Sequence, residues 1–187
     1  MRLNDYWILN SRRVLSTMRE VSVDDSNAAE KEYMTDSNAE VINFDLVKRE
    51  YMNSLRMSEE GAKSVDGLFQ AKNDSLDDAA IYMIEFKNGN IENRDIERKV
   101  RDSVLIFQSI TGTQLEDTRK NVTFVLMYNS EKQTLNYRDM RAMAKANQGR
   151  AEFCLFGLAH LRGFCFKNVF AYSQQEFEKK IVPLVQG

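Results

Sequence analysis

One proline, two cysteines and one histidine are all that 187 residues hold of three chemically distinctive types. Each scarcity excludes something. With Pro183 alone there is no Pro-rich linker. With eight glycines besides, a long all-β chain of rigid turns is excluded too. Cys154 and Cys165 lie in apolar, aromatic stretches, as buried thiols of a reduced compartment do. A zinc centre needs more ligands than these two and His160 provide. His160 lies in Leu158-Ala159-His160-Leu161-Arg162 and reads as a satisfied structural histidine, not a base. No stretch approaches the roughly 18 apolar residues of a membrane span. The N-terminus shows no apolar segment with a cleavage site, so the expected compartment is the cytoplasm. Neither GxGxxG, GxxxxGK[ST] nor GxSxG occurs, so a small-molecule enzyme built on a cofactor loop or a nucleophile elbow has no support.

Charge is present in nearly balanced amounts. Lys and Arg number 26 against 28 for Asp and Glu, which excludes a generally basic nucleic-acid binder while leaving room for a local basic patch. The length suits one domain over 1–187. Within it we expect an N-terminal helical extension over 1–38, a core over 40–130, and a helix-strand-helix over 131–187 that completes a sheet.

Periodicity gives the elements. Tyr6, Leu9, Arg13 and Thr17 line one helical row over residues 1–20, and a short helix fits 27–34 between two polar clusters. Phe44, Val47, Tyr51 and Leu55 recur at helical spacing, which predicts a helix over 41–57. Residues 63–71 and 79–87 read as strands joined by the polar turn 72–78, and so as hairpin neighbours. Ile96, Val100, Val104 and Phe107 form the apolar stripe of a helix over 93–110. Residues 121–128 read as a buried strand. Residues 137–161 look helical, 164–172 extended. Ser173 with Glu176 forms a capping box for a last helix that stops before Pro183. The expectation is an α/β fold: a mixed central sheet flanked by helices.

The chemistry concentrates in Ile81-Tyr82-Met83-Ile84-Glu85-Phe86-Lys87. Side chains along a strand alternate faces, so Glu85 and Lys87 share one face and Phe86 takes the other. Asp66 lies nineteen residues before Glu85, in Ser64-Val65-Asp66-Gly67-Leu68-Phe69. Gly67 beside it keeps the neighbourhood uncrowded. Two acids and a lysine on one point can hold Mg2+ (or Mn2+) through hard oxygen ligands and activate a water. The bland alternative is a solvated edge-strand ion pair.

An acid at the start of one strand, followed by Glu-x-Lys on the next and then by a helix and a strand, resembles the PD-(D/E)xK nuclease superfamily. The likeness covers roughly residues 40–130. Val65 stands where that motif carries proline. The resemblance implies a restriction-endonuclease-like core and metal-dependent phosphodiester hydrolysis of DNA. It implies Asp66, Glu85 and the Phe86 carbonyl as metal ligands, Lys87 as the residue that orients water or stabilises developing charge, and a further glutamate from the first core helix. Glu50 is favoured for that role over Glu40. On the helix after the motif, Lys99, Arg94, Arg98 and Gln108 are implied as contacts to the nucleic-acid backbone. A second basic stretch, Arg138, Arg141, Lys145 and Arg150 near Tyr128 and Tyr137, offers another phosphate-contacting surface. The resemblance also allows a homodimer or a protein partner. The alternative function is a catalytically inactive interaction protein that retains the fold, with the acidic segments 20–40 and 72–78 recognising its partner.

Overall fold

The alternation along Ile81–Lys87 builds the centre of the sheet. In the computed structural model, residues 2–24, 31–71, 80–133, 139–140 and 155–186 are described. Ile81 and Met83 enter one apolar cluster, Ile84 and Phe86 the other, so the strand is buried on both faces. The strands are β1 (Leu15–Thr17), β2 (Val23–Asp24), β3 (Glu32–Tyr33), β4 (Glu40–Asn43), β5 (Gly67–Gln70), β6 (Ile81–Lys87), β7 (Val122–Tyr128) and β8 (Asn168–Ser173). Six of them form one mixed sheet in the order β1-β4-β5-β6-β7-β8. The first four pair antiparallel; β6, β7 and β8 run parallel. β2 and β3 form a separate antiparallel ribbon.

The helices are α1 (Met18–Val21), α2 (Phe44–Ser54), α3 (Asn93–Thr111), α4 (Leu115–Asn121), α5 (Gln174–Lys180) and α6 (Val182–Gln186). α2 and α3 bury Phe44, Val47, Ile96, Val100, Val104 and Phe107 against one sheet face. α1, α5 and α6 cover the other with Met18, Val21, Phe177, Ile181, Val182 and Val185. Among the described residues no helix is long and apolar enough to cross a membrane.

α3 carries its apolar residues at helical spacing and ends at Gly112, whose φ of 68° is the left-handed conformation a helix stop uses. The predicted helix 93–110, the buried strand 121–128, the hairpin pairing of β5 with β6 and the Ser173–Glu176 capping box all stand in the structure.

Elsewhere the structure departs from the sequence reading. Among its described residues, the segment before residue 39 is no helical extension. It forms 3-10 turns at Leu3–Asp5 and Arg12–Val14, the edge strand β1, the single turn α1 and the ribbon β2–β3. Local polar side chains decide this. Ser11 caps a 3-10 turn, and Thr17 with Glu20 closes a capping box that starts a fresh helical turn. Of the helix expected over 27–34, residues 27–30 lie outside the described residues, and Glu32–Tyr33 are strand. The helix expected from Val41 begins at Phe44, because Glu40–Ile42 pair with β1, Ile42 and Asn43 pair with β5, and Asn43 supplies the cap. The strand expected from 164 begins at Asn168. The last helix ends at Lys180, and Pro183 sits in the first turn of α6, where its missing N–H costs nothing. The turn 72–78, most of the helix expected over 137–161, Cys154, and the basic group Arg138, Arg141, Lys145 and Arg150 lie outside the described residues.

Candidate functional site

Asp66 enters the site just ahead of β5. Its N–H donates to the Ile84 carbonyl at 3.0 Å, and its own carbonyl accepts from the Phe44 N–H at 3.0 Å. The residue before it, Val65, donates its N–H to Ser103 Oγ of α3 at 2.9 Å, and both residues are fully buried. Ser103 therefore fixes the approach to Asp66. Ser103→Ala leaves that buried N–H without an acceptor and is expected to cost about 1–3 kcal/mol in urea unfolding.

Glu85 comes from β6, on the face of Ile81 and Met83 and below α3. Its side chain is 0% exposed. Lys99 of α3 reaches down to it: Nζ lies 2.6 Å from Glu85 Oε1 and 3.5 Å from Asp66 Oδ1. Lys87 Nζ lies 3.5 Å from the same Glu85 Oε1 and 3.2 Å from Asp95 Oδ2. Asp95 also accepts from Lys63 Nζ at 2.8 Å, so it ties Lys87 to Lys63. Asp66 Oδ2 accepts from the Phe86 N–H at 2.6 Å. Glu85 Oε2 is buried and has no hydrogen-bond partner.

The electrostatics follow from this crowding. Burial, with the Asp66 charge next to it, pushes the Glu85 carboxyl up to about 8. Burial likewise lifts Asp66 to about 6, against the pull of Lys99 and the Phe86 N–H. Burial works to lower the Lys99 ammonium, but the facing carboxylates of Asp66 and Glu85 win and hold it above its ordinary range. The hydrogen bond from Lys63 holds Asp95 below the usual carboxylate range. Lys99 and Lys87 both pull on the carboxylate pair, but burial outweighs them and holds both carboxyls above their ordinary range.

The site opens to a cleft of about 490 Å³ at the end of β6, lined by Asp66, Phe86, Lys87 and Lys99 and walled on the other side by Glu20, Asp24 and Asp45. The β2–β3 ribbon forms part of that wall. It is moored by the buried amide of Asn88, which donates to Asp24 Oδ2 at 2.9 Å and Glu32 Oε2 at 2.5 Å and accepts from Asn129 at 2.8 Å.

The structure thus brings Asp66, Glu85, Lys87 and Lys99 together and sends Phe86 to the opposite face, its ring edge-on to Phe177 at 5.4 Å. Other sequence-predicted residues lie elsewhere. Glu50 is half-buried on α2 and does not line the cleft; Asp45, in the first turn of that helix, does. Glu40 is exposed on β4. Arg94 is exposed, and Arg98 pairs at 3.8 Å with Asp102 on its own helix. Gln108 sits nine residues beyond Lys99, about 13 Å further along α3. Gly67 leaves room that is not needed: an added Cβ would meet Val21 Cγ2 at 3.7 Å, an ordinary contact. His160 is not in an apolar setting but exposed, paired with the Gly157 carbonyl at 2.9 Å and with Glu97 at 3.4 Å.

Sequence reasoning missed Asp45 and Asp95 as neighbours of the site. Asn43 as a strand-end cap was the available signal for Asp45, since it puts the next acid in the first turn above the sheet. Asp95 stands one residue before Ile96 on the predicted α3 stripe.

Among the described residues no three His, Cys, Asp or Glu side chains form a ready-made metal cage. The donor set is two carboxylates, one with an orphaned buried oxygen. That fits Mg2+, which is usually held by one or two carboxylates and completed by water and substrate phosphate. No family model, curated protein or solved structure matches this chain. What fold and site define is an α/β protein with a mixed six-stranded sheet, in which buried Glu85 and cleft-lining Asp66 meet Lys87 and Lys99 at the end of β6.

Proposed function

We propose that this cleft hydrolyses phosphodiester bonds of DNA with Mg2+ or Mn2+, as a PD-(D/E)xK-type site. One observation carries the reading. Carboxylates from the approach to β5 and from its neighbour β6 converge on a single cationic nitrogen beside an opening to solvent, and one carboxylate oxygen is left unsatisfied. The antiparallel run β4-β5-β6, followed by α3 and the parallel β7, supports the restriction-endonuclease-like arrangement.

Asp66 and Glu85 would hold the cation, with the Phe86 carbonyl as a further oxygen ligand. When bound, the cation supplies positive charge to the phosphoryl oxygens and acidifies a water. Lys87, tethered by Asp95, orients that water and offsets charge developing on the phosphorus-bound oxygens. Asp45 adds an acid from the helix start, the place the resemblance gives to Glu50.

The test is a thermal melt with Mg2+ or Mn2+ against EDTA, paired with cleavage of plasmid and single-stranded DNA. The reading expects a midpoint raised by several degrees through linkage, and cation-dependent nicking. A melt indifferent to both cations, with no cleavage, overturns it.

The inactive interaction protein keeps one specific support. The chain Lys63–Asp95–Lys87–Glu85–Lys99–Asp66 is a continuous ion-pair network that satisfies most of its own charge. A silent structural network needs no cation, and the same melt separates the two readings.

A further inference from the structure

Lys99 is one of only two cations lining the cleft among the described residues, and it is engaged inward. Its Nζ touches both proposed ligands, Glu85 at 2.6 Å and Asp66 at 3.5 Å. Glu85 takes both of its cations, Lys99 and Lys87, on Oε1, while Oε2 is buried and unpartnered. A buried ion pair built for stability satisfies its remaining lone pairs; this one does not.

We infer that Lys99 is an internal counter-ion: its ammonium occupies the position between Asp66 and Glu85 that a divalent cation takes, and cation binding expels it into the cleft. The inference rests on the metal-site reading above. Two positive groups cannot share that position. A cation at metal–oxygen distance from Glu85 Oε1 would lie within a few ångströms of an ammonium 2.6 Å from the same oxygen, in a poorly screened interior. The Lys99 side chain already borders the cleft and is 19% exposed, so a change of side-chain rotamer frees it without moving α3. Asp45 stands on the same cleft to receive it. With the carboxylates taken, the released ammonium faces an incoming phosphodiester instead. The device sets an order: cation first, anionic substrate second. Without the cation, the lysines of the cleft are spent on its own acids, and phosphate is held poorly.

The test labels lysines of the intact protein with an amine-acylating ester, with EDTA or with saturating Mg2+, and reads each site by peptide mass spectrometry. The melting midpoint is followed in the same samples. Lys120, exposed on α4, serves as the reference. Lys99 acylation is expected to rise at least about tenfold with Mg2+ relative to Lys120, because a minor released state becomes the main one. If Mg2+ raises the midpoint while Lys99 labelling stays level or falls, the counter-ion role is overturned and the metal site stands. If Mg2+ changes neither, the metal site fails and the inference fails with it.

Discussion

Asp66→Asn is expected to lower Mg2+-dependent DNA cleavage by about 10³-fold or more while leaving the protein folded. The asparagine keeps an oxygen to accept from the Phe86 N–H, a bond of 2.6 Å in the native protein. It removes the charge and turns the oxygen that faces Lys99, 3.5 Å away, into an NH2 donor. Glu85→Gln should have the same effect on cleavage, since each carboxylate is one half of the cation's holding set and groups acting as a unit do not lose activity additively. Both variants should also lose the Mg2+-induced rise in melting midpoint. Lys87→Ala separates the roles. Its ammonium pairs with Glu85 and Asp95 rather than completing the ligand set, so cleavage should collapse while the Mg2+ response of the melt persists. Supercoiled plasmid nicking and melts in EDTA and Mg2+ are the two measurements. Cleavage that survives in both carboxylate variants removes the nuclease reading altogether.

The same residues show what was legible in the sequence. Period two along Ile81–Lys87 placed Glu85 and Lys87 on one face and Phe86 on the other, because a strand offers no alternative. The stripe Ile96-Val100-Val104-Phe107 likewise fixed both α3 and the face it buries. Its charge, beside Arg94 and Arg98, makes Lys99 a candidate contact to nucleic acid. Its spacing said more: it lies three residues after Ile96 and four before Ser103, both buried, so it sits at the edge of the buried stripe. The N-terminal segment was illegible for a different reason. Its elements are two to four residues long, below the length at which periodicity carries information, and they are set by caps at Ser11 and Thr17 and by pairing with β4, a partner distant in sequence. That Asp45 and not Glu50 lines the cleft turns on where a helix starts, and boundaries are what tertiary pairing decides last. β4 claimed Glu40–Asn43, which moved the first helical turn onto Asp45.

The metal-free protein is expected to lose stability as pH rises from about 5 to about 8, opposite to the usual behaviour of a paired carboxylate. Burial holds Glu85 at about 8 and Asp66 at about 6, both above the values these groups take in an unfolded chain. Between those limits the folded state binds more protons than the unfolded one, so raising the pH favours unfolding. The stabilisation is complete below the unfolded values near 4 and is spent once pH passes the folded value of Glu85. The loss is read as a melting midpoint that falls steadily across the window. Asp95 works in the other direction but in another window. Its carboxyl is held below the usual range by Lys63, so its contribution is present above pH 4 and disappears only in stronger acid. Saturating Mg2+ should flatten the slope, because a cation between Asp66 and Glu85 favours their ionised forms and its binding releases protons. The Mg2+-induced rise in midpoint therefore grows with pH. Glu85→Gln should remove most of the slope in EDTA, since the amide has nothing to titrate. Melts at closely spaced pH values in EDTA and in Mg2+ read all of this at once. A midpoint in EDTA that climbs steadily from pH 5 to pH 8 would mean that the two carboxylates are ionised and well paired throughout, and that burial does not hold them in the strained state a bound cation would relieve.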